Sequence, residues 1–276
     1  MLVEMISWFD SHSHLQDEAF DEDRDQVFAR AKAAGVDQIL LSTSFVEDAE
    51  IALKLAWQHE GLYSAMGLHP QEAMRWNDSY PDQMKELYHK AEKKAADLGR
   101  TNPIRAVGEI GLDYHWDTAD RQTQDRVYRQ QIYLAHDLGL PLIIHERDAF
   151  QDSYEILKWA RKEGLLMELA GVCHCFSGSW EGAELLMDLG FMIGLDGPVT
   201  FKNGRKAKEI ASKIDLEYLV LETDSPYLTP EPNRGKRNES SYLPYIGQFV
   251  ADLRSEPVEK VAHQTKANAQ RLFRLN

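Results

Sequence analysis

Seven residues of this chain carry side chains that ligate divalent metals and stand at or just past the ends of short apolar runs: His12, His14, His69, Glu109, His145, His174 and Asp224. Imidazole nitrogens and carboxylate oxygens are the ordinary ligands of transition-type divalent cations. His12 and His14 are two residues apart, so an extended backbone sends both rings to one face. One such pair, completed by carboxylates from other strands, can close around a cation. The chain has 10 histidines, and His59, His89, His136 and His263 fall in helix-like stretches where surface or structural roles are expected. His12, His14, His69, His145 and His174 instead mark strand ends, which predicts a metal site rather than scatter. Cys173 and Cys175 flank His174 and could be read as zinc ligands. Strand parity opposes this: if His174 points inward, both cysteines turn outward and pack as small hydrophobes.

The elements that would position these residues recur along the chain. Strand-like runs occupy 6–10, 36–42, 62–67, 104–109, 141–145, 171–175, 191–196 and 218–223, and helix-like stretches lie between them, as at 17–34, 46–60, 81–98 and 121–138. Gly35, Gly99, Gly139, Gly164 and Gly190 each precede a strand, where a left-handed helix cap favours glycine. Alternating strand and helix implies parallel strands joined by right-handed crossovers. An open doubly wound sheet would usually carry a glycine-rich phosphate loop after its first strand, and FDSHSHLQD contains no glycine. The expected fold is therefore an α/β (β/α)₈ TIM barrel, a single domain over residues 1–276, with the segment from Ser240 onward adding helices to the outer layer. Active sites of such barrels lie at the C-terminal strand ends, where the seven residues fall.

Charge and composition limit the function. Lys and Arg number 31 against 45 Asp and Glu, a net charge of −14, unlike a protein that coats nucleic acid. A polyanionic substrate is still open to an acidic protein if bound cations reverse the local sign. Two cysteines make no disulfide framework, no apolar run nears the ~18 residues of a membrane span, and MLVEMISWFD lacks the features of a secretory leader. A soluble cytoplasmic protein with no membrane association and no obligate protein partner is expected. The nucleotide-binding G-x-x-x-x-G-K-[ST] loop and the G-x-S-x-G elbow are both absent. Two basic clusters, 201–208 and 234–238, follow the last two strands, where barrels often bind phosphate.

In order, FDSHSHL, GLHP (67–70), VGEIGLDYHW (107–116), PLIIHERDA (141–149), GVCHCFSGS (171–179), GPVTFK (197–202), LETDSPYLTP (221–230), RGKRNE (234–239) and NAQRLF (268–273) resemble the motifs of the TatD family. These metal-dependent hydrolases, commonly described as deoxyribonucleases, belong to the amidohydrolase-like metal barrels. The resemblance implies two divalent ions (Mg, Mn or Zn). His12, His14, Glu109 and Asp224 would hold one, and Glu109, His145 and His174 the other, with the glutamate bridging. It places His69, Arg147, Tyr227 and Arg234 at or beside positions expected to contact substrate. Two departures are visible: Gln71 stands where the family often has histidine, and Ser240 where it often has proline.

Two dications (+4) against Glu109 and Asp224 (−2) leave a locally positive pocket, a means for an acidic protein to attract a phosphodiester. The implied reaction is hydrolysis of DNA by two-metal activation of water, with Asp224 accepting the proton and Lys202, Arg205 and Arg234 contacting flanking phosphates. From the resemblance alone, the polarity is 3′ to 5′ on single-stranded ends. The same ligands suit amide or ester hydrolysis, including deacylation of aminoacyl-tRNA, and the residues do not choose between these. A metal-stabilised scaffold is the non-enzymatic alternative, but structural sites are usually closed by four protein ligands.

Overall fold

The computed structural model describes residues 6–116 and 118–275. Residues 1–5, half of the segment on which the absence of a secretory leader was read, lie outside this range. Eight strands follow the chain: β1 (Trp8–Ser13), β2 (Val36–Leu41), β3 (Leu62–Met66), β4 (Ile104–Asp113), β5 (Leu142–Arg147), β6 (Gly171–Cys173), β7 (Phe191–Leu195) and β8 (Leu219–Leu221). Between and after them run α1 (Arg24–Ala33), α2 (Val46–Gln58), α3 (Tyr80–Leu98), α4 (Arg121–Leu138), α5 (Phe150–Lys162), α6 (Trp180–Asp188), α7 (Arg205–Lys213), α8 (Leu243–Arg254) and α9 (Val258–Leu272). All eight expected strands form, and their sheet order is the sequence order. This is the (β/α)₈ barrel architecture. The strands are nearly continuous apolar runs because both of their faces are buried.

The chain divides into two compact units. The first comprises residues 1–41, 174–187 and 192–276. Here β1 pairs with β2 and β7 with β8, all parallel, and β8 returns to β1 through a bridge between Ser13 and Ser225. α9 secures this return. Its Asn268 amide donates to the Leu216 and Leu219 carbonyls, and Phe273, just past its end, meets Phe9 of β1 with ring centroids 5.8 Å apart. The second unit comprises residues 42–173 and 188–191. In it β3, β4, β5 and β6 pair in succession, all parallel. α4 starts where the Asp120 carboxylate accepts the Thr123 N–H at 2.9 Å and stops at Gly139 in the left-handed conformation.

Cys175 departs from the parity expectation. Strand β6 ends at Cys173, and Cys175 takes a φ of 45°, so alternation no longer governs it. Its thiol bonds to Asp196 instead of packing outward. Cys173 is buried.

Candidate functional site

In the first unit a buried clamp joins the ends of β1 and β8. The Asp10 carboxylate accepts from the Thr223 N–H (2.9 Å) and hydroxyl (2.6 Å). Asp224 N–H then donates to the His12 carbonyl (2.9 Å) and His14 N–H to the Ser225 carbonyl (2.8 Å). Burial raises Asp10 to about 6 against these hydrogen bonds. The clamp brings three side chains together. His12 Nε2 lies 3.2 Å from His14 Nε2, and Asp224 Oδ1 stands 3.6 Å from the first and 3.3 Å from the second. Ligands of a four-coordinate cation at ~2.1 Å stand about 3.4 Å from one another, so the triangle fits a divalent ion. Burial pushes Asp224 upward, but the His14 hydrogen bond and the imidazoles of His12, His14 and His174 outweigh it and hold the carboxyl below its usual range. His174 stacks on His12 with ring centroids 3.9 Å apart, and its Nδ1 faces the buried Glu222 at 3.8 Å.

In the second unit β4 and β5 present another cluster. Glu109 Oε1 lies 2.8 Å from His145 Nδ1 and 3.5 Å from His69 Nε2. His145 Nε2 meets Asp113 Oδ2 at 3.1 Å, and the Gln71 amide donates to the same oxygen at 2.9 Å. Burial opposes a charged His145, yet the Asp113 and Glu109 hydrogen bonds prevail and raise it to about 9. His69 is different. Its Nδ1 accepts the Gln71 backbone N–H at 3.2 Å, which leaves the single proton of a neutral imidazole on Nε2. Burial and the nearby His145 lower its pKa and keep it neutral. His69, Glu109 and His145 are spaced so that they could hold a cation; with its proton on Nε2, His69 can instead act as a donor, and Nε2 of His145 meets Asp113 in the manner of outer-shell carboxylates.

Asp113, Asp10 and Glu222 were not anticipated. Parity would have found Asp113, which is two strand periods beyond Glu109, and likewise Asp10, one period before His12. Apart from His69, the substrate-contact candidates lie in exposed loops or at the exposed ends of β5 and α7. Tyr227 is 54% exposed and meets His14 edge-on at 6.1 Å. Arg234 covers Phe201 at 3.9 Å, and Lys202, Arg205 and Arg147 are exposed. Arg237 of the second basic cluster is used structurally, bonding the Ala19 carbonyl and Asp23.

His145 and Asp196 both contribute to the pH dependence of the metal-free protein's stability on the alkaline side. His145 rises from 6.5 to about 9, and Asp196, through burial and the Asp224 charge, from 3.8 to about 8. Both bind protons more tightly folded than unfolded. Their contribution is therefore lost as pH rises through the folded values. The Tm of metal-free protein is expected to fall between pH 7 and 9; a flat or rising Tm in a scanning-calorimetry series would contradict this.

The TatD related DNase profile matches residues 9–274. The chain belongs to that family. A Bacillus subtilis relative named metal-dependent hydrolase YabD is 40% identical over 268 residues, 97% of this chain and 99% of its own length. The Klebsiella pneumoniae protein named 3′-5′ ssDNA/RNA exonuclease TatD is 34% identical over 271 residues, 96% of this chain and 97% of its own. Among solved structures, the TatD homologue YJJV of Escherichia coli superposes with a TM-score of 0.88 at 30% identity, covering 99% of this chain and all of the other. As a TatD-family enzyme the chain is a metal-dependent hydrolase. Among the described residues no helix is long and apolar enough to cross a membrane.

Proposed function

We propose that this TatD-family enzyme hydrolyses phosphodiester bonds of DNA, removing nucleotides from the 3′ ends of single strands with two divalent cations (Mg, Mn or Zn). The ligand-spaced triangle of His12, His14 and Asp224, with its 3.2–3.6 Å edges, carries the reading. His12, His14 and Asp224 would hold one ion, and Glu109 and His145 the other. The sharing of Glu109 and the addition of His174 follow from the family resemblance. The name of the Klebsiella relative supports the substrate and polarity. We take residues 1–276 as one catalytic domain, supported by the profile match over 9–274. A cytoplasmic location accords with two free thiols.

When bound, such cations supply Lewis-acid polarisation of the phosphoryl oxygens and acidify water. Asp224, ionised at neutral pH, accepts the proton of the attacking water; a carboxyl held so low releases it readily to the leaving group. His69 donates through Nε2 to an oxygen where charge develops, and its fixed tautomer needs no reorganisation. Asp113 holds the His145 ring in place from behind. Lys202, Arg205 and Arg234 contact flanking phosphates, and Tyr227 contacts the terminal nucleotide.

The test is chelated protein reloaded with each metal and assayed on a 5′-labelled single-stranded oligonucleotide, beside aminoacyl-tRNA and small esters. A ladder shortening from the 3′ end only after reloading is expected. Activity that survives chelation, random internal cuts, or hydrolysis confined to the acyl substrates would overturn the proposal.

A further inference from the structure

We infer that Trp116, on the loop after β4, and Arg147, at the end of β5, form a stacking platform for a nucleobase of a single-stranded substrate; the inference rests on the nuclease reading above. Trp116 is 51% exposed, unusual for the largest apolar side chain. The Arg147 guanidinium lies over its ring at 5.8 Å. The His115 ring meets the indole edge-on at 4.9 Å and 88°, an approach that does not cover the indole face. His115 in turn bonds Asp148 through Nδ1 at 3.2 Å. An aromatic face beside a guanidinium is the arrangement on which unpaired bases stack without regard to sequence.

Hydrogen bonds tie the platform to the candidate site. Asp113 Oδ1 accepts the backbone N–H of His115 (2.9 Å) and Trp116 (3.2 Å), while its Oδ2 meets the candidate ligand His145. Tyr114 N–H donates to the Arg147 carbonyl at 2.9 Å, which staples the loop to the end of β5. Arg147 lies two residues beyond His145 on the same strand, and so on its face.

Binding of fluorescein-labelled, hydrolysis-resistant phosphorothioate oligo-dT to the metal-loaded full chain, read by anisotropy, separates stacking from phosphate contact when repeated with an oligomer abasic at its 3′ end. Trp116→Ala is expected to weaken oligo-dT binding about 10-fold or more, leave the abasic oligomer unaffected and leave the salt slope unchanged, while Trp116→Phe retains most of the affinity. Equal binding by Trp116→Ala and the parent, or equal loss on both oligomers, would overturn the platform and leave the nuclease reading intact. A parent protein that neither binds nor cleaves DNA would instead remove the nuclease reading.

Discussion

Glu109→Gln is expected to lower turnover by about 10³-fold or more, since a cation's contribution to the transition state is several kcal/mol. Glu109 is 3% exposed, and its Oε1 faces both His145 Nδ1 and His69 Nε2. The amide keeps the volume and loses the charge, so a collapse of the fold does not account for lost activity. Three readouts should move together: kcat, metal stoichiometry by calorimetry, and the His145 pKa by NMR, which falls once its Glu109 partner is neutral. The metal-free Tm should fall modestly near neutral pH, because part of the His145 contribution goes with the Glu109 charge. A Glu109→Gln protein that retains full metal content and parental kcat would refute the assignment of Glu109 as a ligand.

Gly111→Ala is expected to cost about 3 kcal/mol or more of stability, because two separate penalties coincide. Gly111 has a φ of 144°, a conformation closed to residues with a side chain. A Cβ there would also overlap the carbonyl oxygen of His145 on the adjoining strand. That neighbour is backbone, paired in register with Gly111, and has no rotamer through which to yield. Relief requires β5 to shift, which carries His145 away from Glu109. Thermal denaturation and metal titration of the variant should both show the loss. A variant with parental Tm and metal affinity would show that the strand pair absorbs a methyl group without displacement.

The barrel was legible because its strands are buried on both faces and read as apolar runs, and because helix-terminal glycines punctuate them. The ligand candidates were legible for a related reason: polar groups at the ends of such runs have no packing explanation. The carboxylates behind them escaped notice. Glu222 lies inside a strand-like run, where a polar residue resembles noise; Asp10 closes the run 6–10, just before the His12 and His14 pair that draws the reading; and Asp113 lies beyond the expected end of its strand, which runs through 104–113 rather than stopping at Glu109. Both departures from the family pattern land beside these acids. Gln71 donates to Asp113, and Ser240 neighbours Asp10. The role of Cys175 was misread because alternation was carried past the last residue of β6. The fixed tautomer of His69 depends on a backbone N–H from the turn that it caps, a detail of folded geometry that residue spacing does not encode.

The clamp between Asp10 and Thr223 spans 213 residues of chain. During synthesis the segment bearing His69, Glu109 and His145 leaves the ribosome well before Thr223 and Asp224 have been translated. His12 and His14, though made first, then wait for nearly the whole polypeptide before their acidic companion exists. A nascent chain therefore lacks the assembled group of His12, His14 and Asp224 until Asp224 itself emerges.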